Sequence, residues 1–225
     1  MTQPEAHAIT LSLLDGRSVS GLLRVPSAAR AGYVLAHGAG AGMFHPFMAS
    51  VAGQLADRGI ATLRYQFPYM EQGSRRPDAP AIAQATVRAA VDQANKRLPG
   101  LPLFAGGKSF GGRMTSQAQA DVPLAGVRGL VFLGFPLHPA KRPSLDRAQH
   151  LAKVQVPMLF LQGTRDALAE QHLIARVAEE LGTRATLTMV RDADHSFHVA
   201  ARTGRTDAQV MAELCDAVAA WMVAH

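Results

Sequence analysis

The chain has 225 residues, 48% of them hydrophobic and 18% charged, with a formal net charge of +6. That length and balance fit one sizeable core in a single α/β domain over residues 1–225 and exclude a disordered chain. A single cysteine, Cys215, excludes an internal disulfide, and its apolar neighbours mark it as a buried core residue.

No apolar run approaches the roughly 18 residues that a membrane span needs. Met1-Thr-Gln-Pro-Glu-Ala-His7 has no basic segment leading into an apolar one, so the sequence reads as that of a cytoplasmic protein with no membrane partner. The basic residues are scattered, with Arg75-Arg76 in a Pro-rich loop, and no basic run carries interleaved aromatics. The positive charge therefore reads as a basic solvated surface, with no nucleic acid as partner.

In chain order, residues 7–14 and 19–24 alternate apolar and polar around Asp15-Gly16-Arg17, which predicts a β-hairpin. Tyr33-Val-Leu-Ala36 is a short buried strand that runs into His37-Gly-Ala-Gly-Ala-Gly42. A helix is expected at 46–58, with Phe47, Val51 and Leu55 on one stripe and Gly59 as its stop. Residues 60–65 form a strand, 66–80 a polar Pro-rich loop and 81–97 a helix. Leu103 to Gly106 is a strand, 110–120 a helix, and Val127 to Leu133 and Met158 to Gln162 are strands. A helix at 168–181, a strand at 186–190 and a helix at 207–223 complete the chain. Apolar strands separated by helices imply a parallel sheet covered on both faces.

The pentapeptide Gly107-Lys-Ser-Phe-Gly111 lies between a strand and a helix. Gly-x-Ser-x-Gly in that context predicts a sharp turn that lifts the Ser109 hydroxyl above the sheet. A side chain at either flanking glycine would collide with the neighbouring strand or helix. A serine hydroxyl is a weak nucleophile, so it needs a base to take its proton and a carboxylate to orient that base. The carboxylate candidate is Asp166, directly after the strand that ends at Gln162, with Glu170 as a weaker alternative. Asp166 could also cap a helix starting near Ala167, but its place at a strand end in the order Ser, Asp, His favours the orienting role. The base candidate is His195, in the loop after Val190, with His198 as its competitor. Asp192 and Asp194 nearby suit turn formation and would raise the pKa of either histidine.

Two backbone N–H groups are needed for the negative charge that develops on a carbonyl oxygen. Phe110, the residue after the serine, supplies one; in the loop 37–42 Ala39 is the first choice for the other and Gly40 the next, with His37 holding the loop. Other glycine-loop readings fail. A phosphate-binding loop needs Gly five residues before Gly107 and finds Pro102, and a dinucleotide loop starting at Gly38 finds Met43 at its last glycine. His195, His198 and the nearby aspartates lack a second cluster that would complete a metal site, so no metal or organic cofactor is expected.

With these segments in place the chain resembles the α/β-hydrolase superfamily over nearly its whole length. It is most similar to compact bacterial members related to testis-expressed protein 30 and to the third subunit of the NSL chromatin complex. The segments that carry the resemblance are Leu35-Ala-His-Gly-Ala-Gly-Ala41, Arg64-Tyr-Gln-Phe-Pro-Tyr-Met70, Gly106-Gly-Lys-Ser-Phe-Gly-Gly112, Phe132-Leu-Gly-Phe-Pro136, Leu161-Gln-Gly-Thr-Arg-Asp166 and Asp194-His-Ser-Phe197. The resemblance implies a mostly parallel eight-stranded sheet with helices on both faces and the triad Ser109, Asp166 and His195. It implies no defined substrate.

Many relatives insert a helical cap before the strand that bears the acid, whereas residues 135–156 here have room for a loop and one short helix. An open, lidless site for small soluble substrates is expected, with Phe110, Met43, Phe44, Phe67, Tyr69 and Met70 as candidates for either an acyl pocket or plain core. The expected activity is cleavage of small carboxylic esters or thioesters. A binding or scaffolding protein on the same fold, with little turnover, is the alternative.

Overall fold

The computed structural model describes residues 5–225; residues 1–4, where the absence of a leader was read, lie outside them. Eight strands form one sheet: β1 (His7–Ser12), β2 (Ser18–Arg24), β3 (Ala31–Ala36), β4 (Ile60–Tyr65), β5 (Leu103–Lys108), β6 (Val127–Leu133), β7 (Met158–Gly163) and β8 (Ala185–Val190). Their spatial order is β1-β2-β4-β3-β5-β6-β7-β8. The first two pairings, β1 with β2 and β2 with β4, are antiparallel, and all others are parallel.

Every residue of β3, β4 and β7 is buried, as strands covered on both faces must be. Two apolar cores do the covering. On one face, α1 (Pro46–Asp57) brings Met48, Val51 and Leu55, and α6 (Asp207–Ala224) brings Val210, Leu214, Val218 and Trp221, against Tyr33, Leu35 and Phe104. On the other, α3 (Pro80–Arg97), α4 (Phe110–Asp121) and α5 (Gln171–Leu181) bring Val87, Val91, Met114, Ile174 and Val177 against Val34, Ala105 and Phe132. Neighbours along β3 and β5 thus fall in opposite cores, which is the two-residue alternation of a pleated strand.

Two expectations are adjusted. The loop 66–80 contains a four-residue helix, α2 (Pro68–Glu71), which starts at a proline whose missing N–H costs nothing there. The helix expected from 168 begins at Gln171, because residues 166–170 form a turn in which Ala169 N–H donates to Asp166 O. Between β6 and β7 the only regular element is a 3₁₀ helix, Asp146–Lys153. The chain before it is strapped down: Leu137 and His138 N–H both donate to Leu168 O, and the buried His138 ring bonds the Glu170 carboxylate. Nothing there forms a lid.

From β3 the chain winds to β4 on one side, and from β5 onward it winds to the other. The loops leaving the carboxyl ends of β3 and β5 therefore diverge and open a crevice, the position where open α/β sheets bind ligands. Among the described residues no helix is long and apolar enough to cross a membrane.

Candidate active site

Ser109 stands at that crevice. It has φ 49° and ψ −114° at the junction of β5 and α4, a backbone region that costs roughly 1–3 kcal/mol for a residue with a side chain. The glycines on each side make the turn possible. A Cβ on Gly107 would lie 2.1 Å from Ala36 O, and one on Gly111 would lie 2.5 Å from His37 O. Both contacts are backbone atoms of the β3 end, so nothing flexible could move aside.

The loop after β8 carries His195 to this turn. Its Nε2 lies 2.8 Å from Ser109 Oγ, and its Nδ1 lies 2.7 Å from Asp166 Oδ2. With Asp166 on Nδ1, that nitrogen carries the proton, and Nε2 is left to accept from the serine hydroxyl. Asp166 is buried and does not cap a helix. Its Oδ1 accepts from Leu168 N–H at 2.8 Å, and its Oδ2 accepts from the Gln162 side-chain amide as well as from His195. Glu170, the alternative acid, is occupied with His138. His198, the alternative base, turns outward and pairs with Asp207 at 2.9 Å; that hydrogen bond raises its pKa, with the Asp207 and Asp194 charges adding to the shift. Asp194 does form the turn: its Oδ1 accepts from Ser196 N–H at 2.7 Å and from His198 N–H at 3.0 Å.

The loop 37–43 forms the opposite side of the crevice and is held from residues 64–69. Phe67 N–H donates to His37 Nε2 at 3.1 Å, which leaves His37 Nδ1–H to donate to Gly38 O at 2.8 Å. Burial lowers the His37 pKa to about 4, so the ring stays neutral and keeps both bonds. Gln66 Oε1 accepts from Met43 N–H at 2.7 Å, and Arg64 donates to Met43 O at 3.0 Å. Gly40 N–H is taken by the Tyr69 hydroxyl at 3.1 Å. Among the described residues neither Ala39 N–H nor Phe110 N–H has such a partner.

A cleft of about 370 Å³ opens beside Ser109, lined by Ala39, Ala41, Phe47, Met48, Leu168 and His195 among others. The aromatic residues considered for an acyl pocket do not line it. Phe67, Tyr69 and Phe110 pack edge-on, tilted or stacked against one another and His37, with centroids 4.9–6.4 Å apart. Their rings support the loop from below.

A sequence profile of the alpha/beta hydrolase domain family matches residues 29–223. The chain belongs to this family. Solved structures with the same alpha/beta hydrolase fold include an α/β serine hydrolase without a lid from Xanthomonas campestris. That protein is 21% identical, with a TM-score of 0.75 over 98% of this chain and 97% of its own. A dienelactone hydrolase from Anabaena variabilis is 22% identical, with a TM-score of 0.79 over 100% of this chain and 99% of its own. Est1E from Butyrivibrio proteoclasticus is 15% identical, with a TM-score of 0.71 over 97% and 99%.

Two further residues beside Ser109 and Asp166 carry no motif in the sequence. Gln162 is fully buried at the end of β7, with its Oε1 accepting from Phe135 N–H at 2.9 Å while its amide nitrogen holds Asp166. It fixes the carboxylate from behind. The other is Lys108, next to the serine. Its Nζ donates to His195 O at 2.5 Å and lies 5.3 Å from the Phe197 ring centroid and 5.9 Å from that of Phe47.

Proposed function

We propose that the chain is a serine hydrolase that cleaves small carboxylic esters or thioesters through an acyl-enzyme, all within one domain. The observation that carries this reading is the bridge made by His195, 2.8 Å from Ser109 Oγ and 2.7 Å from Asp166 Oδ2. Membership of the alpha/beta hydrolase domain family, and structural neighbours named as a serine hydrolase, a dienelactone hydrolase and an esterase domain, support the same class.

Ser109 Oγ attacks the carbonyl carbon while His195 Nε2 takes its proton. Asp166 holds the ring and stabilises the imidazolium that results. Ala39 and Phe110 N–H groups receive the oxyanion; Gly40 is the poorer choice because its N–H already serves Tyr69. Collapse of the tetrahedral intermediate breaks the bond to the alcohol or thiol, which leaves with the proton from His195. Water then attacks the acyl-serine by the same route, with His195 again as base. Every group required is a side chain or backbone amide of this chain.

The test is a fluorophosphonate probe, with the labelled peptide located by mass spectrometry, beside hydrolysis of short-acyl nitrophenyl esters. Label on Ser109, and loss of both label and turnover in Ser109→Ala, are expected. Turnover that survives Ser109→Ala, or a folded protein that neither labels nor hydrolyses, would overturn the proposal and favour a binding role.

A further inference from the structure

Lys108 is a part-buried cation that the mechanism above does not use. Its ammonium has three N–H donors, of which one bonds His195 O. Among the described residues no carboxylate pairs with it within 4.0 Å. Asp166 and Asp194 attract it from farther off, and both are already committed, Asp166 to His195, Gln162 and Leu168, and Asp194 to backbone amides. Desolvation outweighs that attraction and lowers the Lys108 pKa to about 8. A cation kept in such a place without a counter-ion is costly.

Lys108 lines the cleft together with Gly38, Phe47, Ser109 and His195. Its stem packs on Gly38, where a Cβ would come within 3.4 Å of Lys108 Cγ and 3.8 Å of Ser109 Cβ. Gly134 leaves room for the ammonium: a Cβ there would lie 3.0 Å from Nζ and 3.5 Å from His195 Cε1. Nζ thus sits beside the ring expected to move the proton, flanked by the stacked Phe47 and Phe197. The cleft lining contains Lys108 and no aspartate or glutamate.

Resting on the hydrolase reading, we infer that the substrate carries a carboxylate close to its scissile carbonyl and that Lys108 Nζ binds it. Lys108 is then a specificity-determining residue, and the missing counter-ion arrives with the substrate. A charge-assisted hydrogen bond in a partly desolvated cleft discriminates by about 10- to 100-fold. The carboxylate belongs to the substrate whether it sits on the acyl or the leaving side, so both positions are probed.

The experiment compares kcat/KM for nitrophenyl hemisuccinate with its methyl ester, and for 3-carboxyphenyl acetate with its methyl ester. In the wild type the acid of at least one pair is expected to lead its neutral partner by about 10-fold or more. Lys108→Met removes that lead and Lys108→Arg retains it. A merely structural tie to His195 would lower acid and ester alike and leave the ratios unmoved. Calorimetry with Ser109→Ala gives a readout free of turnover: levulinate is expected to bind more tightly than methyl levulinate. Equal rates within both pairs, with Ser109-dependent turnover intact, would overturn the role of Lys108 and leave the hydrolase reading standing. If no ester is turned over, the hydrolase reading fails, and equal binding of levulinate and its methyl ester then overturns the carboxylate site as well.

Discussion

The two walls of the cleft are held in different ways. On one side of Ser109, the loop 37–43 is fixed mainly by uncharged groups, a neutral His37, Gln66 and the Tyr69 hydroxyl. On the other side charged or chargeable groups do the holding: His195 is bonded to the Asp166 carboxylate, and the Lys108 ammonium donates to the His195 carbonyl. The contrast follows from the work expected of each wall. Backbone donors for an oxyanion must be in place before reaction and need no proton of their own. A base must change charge during turnover, so its partners must stabilise a cation when it forms.

The largest expected effect comes from breaking the charged wall at its root. Asp166→Asn keeps the shape but presents an amide to Nδ1 and favours the wrong tautomer, and kcat for nitrophenyl acetate should fall by about 10⁴-fold. A loss of under 10-fold would mean that Asp166 is not what orients His195. Gln162→Leu removes the group behind that carboxylate and leaves Phe135 N–H unpaired; a drop of roughly 10- to 100-fold in kcat is expected from misplacement alone. On the uncharged wall, Tyr69→Phe frees Gly40 N–H and should lower kcat by about 10-fold or less with KM nearly constant. If Tyr69→Phe cost more than Gln162→Leu, the ranking of the two walls would be reversed.

Acid titration sharpens the comparison in stability. Burial lowers the pKa of His37, and of His150 on the 3₁₀ helix Asp146–Lys153 with its Nε2 2.7 Å from Ser116 Oγ, from 6.5 to about 4. Below pH 6.5 the unfolded chain takes up these protons before the native one does, so this contribution is full above that pH and is lost as pH falls towards 4. Urea midpoints between pH 7 and pH 4.5 should fall less steeply for His150→Phe than for the wild type. Parallel curves would remove His150 from the account. The smallest effect is expected at the other histidine of the loop: His198→Ala breaks only an exposed pair with Asp207, and turnover should stay within about 2-fold.

What the sequence made legible were the features that leave a fixed spacing or order along the chain. Gly107 and Gly111 are required by the backbone atoms of Ala36 and His37 that a Cβ would strike, and that requirement shows as a motif. Asp166 and His195 stood out by their places after β7 and β8, and the fold brings both to Ser109. What stayed hidden depends on groups brought together by the sheet. Gln162 is one polar residue in an apolar strand, and its role exists only because Phe135 and Asp166 flank it in space. The choice between cleft wall and core stayed open in the sequence for the same reason. Phe67, Tyr69 and Phe110 are near Ser109 in the fold, but they face one another beneath the loop, while Phe47, Met48 and Leu168 reach the opening from α1 and the turn before α5. The short helix α2 was hidden in a polar, Pro-rich stretch, although it is what carries Tyr69 to Gly40.

The most direct measurement is rapid-quench mass spectrometry of the protein mixed with nitrophenyl acetate. A transient acetyl adduct on the peptide containing Ser109 is predicted in the wild type, longer-lived in Asp166→Asn and absent in Ser109→Ala. Ester turnover with no acyl group on Ser109 at any time point, or an adduct that persists in Ser109→Ala, would contradict the account.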